Sequence, residues 1–237
     1  MGSLDDDILF ERRGAAGLVT LNRPKALNAV THDMVRALRV QLDRWADDAA
    51  VARVVIMAAG ERAFSAGGDI RALYDLGKAG RVEDALQFWR DEYPLNMAIK
   101  NYRKPYVALI EGIAMGGGVG VSVHGSHRVA GDRFSFAMPE VGIGFFPDVG
   151  ATWFLPRMPG ELGAYCALTG ERFGPADAIS SGVATHRIAS KHFPALLAGL
   201  TGMVSVDAML AAFALPAERG PIALRQAAID RLFAANR

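Results

Sequence analysis

The chain has 237 residues, of which 51% are hydrophobic and 22% charged. That balance fits an ordered protein with one sizeable core and excludes a disordered chain. The formal net charge of +1 removes the electrostatic case for a nucleic-acid partner, so none is expected.

The acidic start, MGSLDDDILFERRG, lacks the apolar region of a signal peptide. Apolar runs such as VVIMAA are too short to cross a bilayer, so a cytoplasmic protein without membrane association is expected. Residues 8–12 and 17–21 read as a strand pair with Gly14 at the turn. Thr31 then offers an N-cap to a helix whose Met34, Val35, Leu38, Leu42 and Trp45 share one face. A buried strand is predicted over 53–58, a polar loop over GERAFSAGGD, and helices over 70–76 and 83–102. The strand at 105–110 runs into a glycine cluster in which a further helix is expected to start. RVAG and FSFAM read as strands, and 161–168 and 175–180 as helices. Cys166, the only cysteine, excludes an internal disulfide and suits a reducing compartment; within AYCALTG it reads as a small buried hydrophobe. The Ala/Leu-rich tail from Phe193 reads as helices. Strand–helix alternation of this kind argues for an α/β fold.

Two glycine-containing loops follow apolar strands: AFSAGGDI (63–70) and GIAMGGGVG (112–120). Glycine lets backbone approach a ligand closely, and a helix starting at Gly117 or Gly118 would aim free N–H groups at developing negative charge. One N–H from each loop would make an oxyanion hole; close helix-on-strand packing is the other reading of the same glycines. Neither loop matches GxGxxG or GxxxxGK[ST], which makes a dinucleotide or triphosphate site a poor reading. Glu140 in AMPEVGIG and Asp148 in FFPDVG sit among apolar residues, where partial burial would raise a carboxyl pKa into the range of acid–base work. Alternatively, either acid caps a helix or pairs with Arg133 or Arg157. Glu92, on a charged helix, reads by itself as part of a solvated face. His124, His127 and His186 lack metal-ligand spacing, so no metal site is expected, and His124 reads as a hydrogen-bonded core residue. Ser65 lacks a GxSxG elbow and is not expected to be a nucleophile.

NRPKALNA, AFSAGGDI, AMGGGVG and FAMPEVGIG, followed by LPR, resemble the enoyl-CoA hydratase/isomerase (crotonase) superfamily from about Ile8 to about Ile188. The resemblance implies a spiral of repeated ββα units holding an acyl-CoA as substrate, with no separate cofactor, and a homo-oligomer, trimeric or hexameric. It implies oxyanion donors at Gly68 and Gly117, and a CoA site lined by Lys25, Ala26 and Leu27 with Ala66, Gly67, Gly68, Asp69 and Ile70. Hydratases of the superfamily carry a glutamate where this chain has Gly120, and keep only the equivalent of Glu140 in common with it. DEYPLN, MGGGVGVSVHG, MPE and GFFPDVG are instead similar to the 3-hydroxyisobutyryl-CoA hydrolase branch. Carried over residue by residue, Glu92, Gly117, Glu140 and Asp148 become the substrate and catalytic positions. The implied reaction is hydrolysis of a short β-hydroxyacyl-CoA thioester, 3-hydroxyisobutyryl-CoA first, as in valine catabolism. Glu140 would be nucleophile or general base, Asp148 would orient the 3-hydroxyl, and Glu92 would shape the acyl pocket. The alternative is an enoyl-CoA hydratase or isomerase on the same fold; an RNA-binding relative is disfavoured by charge. Residues 1–192 are expected to form the CoA-thioester-binding core. Residues 193–237 are expected to form a C-terminal helical segment, shortened and incomplete beside that branch.

Overall fold

Ile8–Arg13 (β1) and Ala16–Leu21 (β2) pair antiparallel, with Ile8 opposite Leu21 and Arg13 opposite Ala16. The computed structural model describes residues 7–234, so the acidic residues 1–6 and the last three residues lie outside the described part. Gly14 turns the hairpin at φ 55°, where a side chain would run into the Thr201 carbonyl. Only glycine fits that left-handed position without strain.

Arg53–Ala58 (β3) continues the sheet in parallel from β2. The segment Ala63–Ser65 (β4) leaves it for a second sheet. The chain then alternates. Tyr106–Ile110 (β5) and His127–Ala130 (β7) extend the large sheet, and Ile113–Met115 (β6) and Ser135–Ala137 (β8) extend the small one. His186–Arg187 (β9) closes the large sheet, whose order is β1-β2-β3-β5-β7-β9; the small sheet runs β4-β6-β8 in parallel. From β3 to β8 each strand of the large sheet is followed by one of the small sheet, which is a spiral of ββα turns, as the resemblance implies. β4 and β6 fall inside segments read from sequence as loops. Three residues are too few to show alternation, and all but Ile113 are buried.

Helix α1, His32–Asp47, starts where expected: Thr31 Oγ1 accepts from Met34 N at 3.2 Å, and Met34, Val35, Leu38, Leu42 and Trp45 are buried. Ile70–Lys78 (α2) and Val82–Lys100 (α3) follow β4, and α3 packs along α1. Gly117–Gly120 forms the single turn α4 directly after β6. The helix expected over 175–180 is instead a run of turns, with Asp177 N bonded to Gly174 O and Gly182 N to Ile179 O. Asp177 is drawn out of any helix there, because its carboxylate caps the N-terminus of Pro221–Leu224 through Ile222 N and Ala223 N. Leu196, Leu200, Val206 and Leu210 from the tail cover the face of the large sheet that Leu18, Val55, Val107 and Val129 present. The other face packs on α1 and α3. No described helix is long and apolar enough to cross a membrane.

Candidate active site

β4 and β6 are neighbours, so the loops leaving their ends lie side by side. Gly67, at φ 119°, follows one strand, and Gly116, at φ 48°, follows the other. The place that a Cβ on Gly117 would occupy is 2.9 Å from the Gly68 nitrogen and 2.7 Å from Glu92 Oε1. The two amides and this carboxyl therefore share one small volume that glycine alone leaves open. Among the described residues, neither the Gly68 nor the Gly117 N–H has a protein acceptor. Gly117 is also the first residue of α4, where a helix leaves the amide without an intrahelical partner; Val119 N and Gly120 N, further on, already bond Gly116 O. Two unpaired donors converging on one point can stabilise an oxyanion.

Three carboxyl groups stand around them. Glu140 opens a 3-10 turn after β8, Asp148 lies on the Pro/Gly-rich segment beyond it, and Glu92 projects from α3. All three line one cleft of about 580 Å³ together with Gly68 and Gly117. Glu92 is only 1% exposed, so the solvated face expected from the helix's charge is not where it sits. The reason is tertiary: α3 turns that face toward the glycines, and its charged residues Arg81, Glu83 and Arg90 stay outside. Neither arginine named as a partner for the acids reaches them. Arg133 pairs with Glu111 and Glu61, and Arg157 donates to Trp153 O.

Without a cation beside them, burial dominates the acids' ionisation. Desolvation, with the Asp148 charge added, pushes Glu92 up to about 8 and Glu140 up to about 7. Asp148 also rises through burial, opposed by the hydrogen bond that Tyr93 Oη donates to Asp148 Oδ2 at 3.0 Å. Among the described residues, Glu92 Oε1 and Glu140 Oε2 have no hydrogen-bond partner. Buried polar atoms are rarely left so, and a site that awaits a substrate is one physical reason for it. Burial thus biases all three acids of the cleft toward their neutral forms, Glu92 most strongly, beside a pair of free donors.

The remaining sequence candidates divide. Ala66, Gly67 and Ile70 line the cleft with Gly68. Asp69 does not: it caps α2 through Ala72 N and pairs with Arg23 at 3.0 Å. Lys25, Ala26 and Leu27 stand on and just after the 3-10 turn Pro24–Ala26, outside the cleft wall, joined to it by Ala66 N donating to Leu27 O. His124 is a core histidine bonded to Val149 O, and burial pushes the Cys166 thiol up to about 12, far from a thiolate. Ser65 Oγ accepts from Gly67 N and shapes the first loop. Trp89 and Tyr93 were not among the sequence candidates. Trp89 lines the cleft and Tyr93 holds Asp148. Their spacing from Glu92 and Asn96 along α3, a stripe at 89, 92, 93 and 96, is the signal that could have found them.

The sequence profile described as enoyl-CoA hydratase/isomerase matches residues 16–237. The chain belongs to the enoyl-CoA hydratase/isomerase family. Within this family it is 50% identical to a mitochondrial 3-hydroxyisobutyryl-CoA hydrolase of Danio rerio, over 97% of this chain and 63% of that one. It is 48% identical to the Homo sapiens protein of the same name, over 84% of this chain and 52% of that one. Among solved structures of the family, a carnitinyl-CoA dehydratase from Mycobacterium thermoresistibile superposes with a TM-score of 0.93 at 46% identity, covering 98% of this chain and 67% of that one. An enoyl-CoA hydratase from Rhodobacter sphaeroides gives 0.90 at 43%, covering 97% and 66%. The chain thus spans between about half and two thirds of these relatives.

Proposed function

We propose that this family member hydrolyses a short β-hydroxyacyl-CoA thioester, with 3-hydroxyisobutyryl-CoA the preferred substrate, as in valine breakdown. One observation carries the choice over hydration. Where the hydratase pattern has a glutamate, Gly120 is walled in: a Cβ there would stand 2.8 Å from Asn96 Nδ2 and 2.9 Å from Val149 Cβ. α4 therefore carries no acid at the hydratase position, and the glutamate that shares the cleft with Glu140 comes from α3 instead, as Glu92. The acids that are present surround the oxyanion donors instead.

In this mechanism the Gly68 and Gly117 N–H groups hold the thioester oxygen and stabilise the charge it gains; such a donor contributes about 3 kcal/mol. Ionised Glu140 either attacks the acyl carbon or takes the proton of an attacking water, and both roles need the carboxylate. Glu92, neutral at pH 7, serves as a hydrogen-bond donor in the acyl pocket, and Asp148 accepts from the substrate 3-hydroxyl. CoA is part of the substrate, and a homo-oligomer in a reducing compartment completes the proposal.

The test is free-thiol release from 3-hydroxyisobutyryl-CoA, with crotonyl-CoA absorbance followed in parallel. Release that is lost in Glu140→Gln and Asp148→Asn, with crotonyl-CoA untouched, is the expected result. Hydration of crotonyl-CoA without thiol release would establish the hydratase alternative.

A further inference from the structure

Three cavities are linked by the residues they share. Asp148 lines both the cleft and a second cavity of about 490 Å³ beside Tyr93, Asn96 and His124. That cavity shares Lys100 and Trp153 with a third, of about 250 Å³. The third gathers three cations, Lys100, Arg128 and Arg157, and no carboxylate is among the residues lining it.

Their partners are all neutral. Arg128 donates to the carbonyls of Val183, Gly125 and Gly182 at 2.7, 2.9 and 3.4 Å. Lys100 Nζ and Arg157 Cζ stand over the Trp153 ring, 3.9 and 4.2 Å from its centroid, and Arg157 also donates to Trp153 O. Among the described residues none of the three has an acid within ion-pair distance, whereas arginines elsewhere in the chain, such as Arg23, Arg133 and Arg187, are paired. Three like charges held together by carbonyls and a ring repel one another, and a bound anion offsets that repulsion. The field reaches the second cavity too: His124 is kept below its usual range by burial first, then by Lys100 and Arg128. Asn96, which lines the second cavity, is buried with Nδ2 and Oδ1 both unpartnered, so that cavity offers hydrogen bonds to a polar ligand.

We propose that the cavity among Lys100, Arg128 and Arg157 binds a small carboxylate, and that it receives the acid released in the cleft. The second half rests on the hydrolase reading above. Thioester hydrolysis breaks the C–S bond, adds a water oxygen to the acyl carbon, and yields a carboxylate, a thiol and one proton at neutral pH. The new anion sits beside ionised Glu140, which repels it, while the three cations two cavities away attract it. Guanidinium and carboxylate match in geometry as well as in charge. The product would then leave past Asp148 and Tyr93 without retracing the path of CoA.

The experiment is ligand-observed NMR titration of the intact protein with 3-hydroxyisobutyrate and, separately, inorganic phosphate. Wild type and Glu140→Gln should bind the carboxylate equally and saturably. The double variant Lys100→Gln/Arg157→Gln should bind it about tenfold more weakly or worse, as loss of charged hydrogen bonds predicts. Arg157→Lys, which keeps the charge, should bind within about threefold of wild type and controls for folding. Inhibition of thiol release by added 3-hydroxyisobutyrate should be relieved in the double variant. No saturable binding by wild type, equal binding by the double variant, or loss of binding in Glu140→Gln alone would overturn the site. Phosphate binding in preference to the carboxylate would overturn its assignment to the product. Binding needs no turnover, so a protein that binds the carboxylate but releases no thiol would sink the hydrolase reading and leave the anion site standing.

Discussion

Tyr93 and Asp148, 55 residues apart in sequence, are joined by a 3.0 Å hydrogen bond, and Asp148 is the residue that the cleft and the second cavity share. The phenol fixes the one carboxylate assigned to the substrate's 3-hydroxyl and holds down an ionisation that burial drives up.

Tyr93→Phe should therefore lower kcat/KM for 3-hydroxyisobutyryl-CoA by about tenfold, the effect of one lost charge-assisted hydrogen bond. Isobutyryl-CoA, which has no 3-hydroxyl, should lose much less. Thiol-release kinetics on the two substrates checks this; equal losses would remove Asp148 from substrate orientation.

The pH–rate profile should be a narrow bell. Glu140 must be ionised to act and titrates at about 7, so the rate should rise through that pH. Glu92 titrates at about 8, and its ionisation places negative charge beside the Gly117 amide, so the rate should fall above it. Glu92→Gln should remove the alkaline limb and leave the acid limb, measured as kcat/KM from pH 5.5 to 9.5 on the ordinary buffer series.

Stability should carry the same signature. In the unfolded chain Glu92 loses its proton near its usual 4.5, whereas the folded protein keeps it to about 8. Between those values the unfolded state binds fewer protons, so stability falls as pH rises and levels off above about 8. Glu92→Gln should flatten that fall and raise Tm at pH 9 relative to wild type, while melting like it near pH 4. A variant that melts lower than wild type at pH 9 would show that Glu92 has a buried partner after all.

Two glycine substitutions probe the site and its wall. Gly117→Ala puts its methyl 2.7 Å from Glu92 Oε1 and 2.9 Å from the Gly68 backbone nitrogen, so thiol release should drop by about 10²- to 10³-fold and stability should fall as well, by about 1–3 kcal/mol. Gly120→Ala drives its methyl against Asn96 and Val149, and should cost about 1–3 kcal/mol of stability, read by urea denaturation. Gly120→Glu should not create crotonyl-CoA hydration, because the space for its side chain is filled.

Much of the fold is written locally in the sequence. The β1–β2 hairpin follows from two strand-like runs around Gly14, and α1 from the Thr31 cap and its apolar stripe, because both depend on residues a few places apart. The acids at 140 and 148 stand out because carboxyls among Met, Phe and Val are costly unless used. What local pattern could not decide was which faces meet. β4 and β6 are three-residue strands defined by pairing across the chain, β4 with β6 and β6 with β8. The segment 174–182 has helical composition, yet forms turns because Asp177 is claimed by a helix start 44 residues later. Glu92 looks solvated on its own helix and becomes a buried acid at about 8 only when α3 packs over Gly117. The residue types were in the sequence; their desolvation, and with it their chemistry, came from the tertiary contacts that removed water from them.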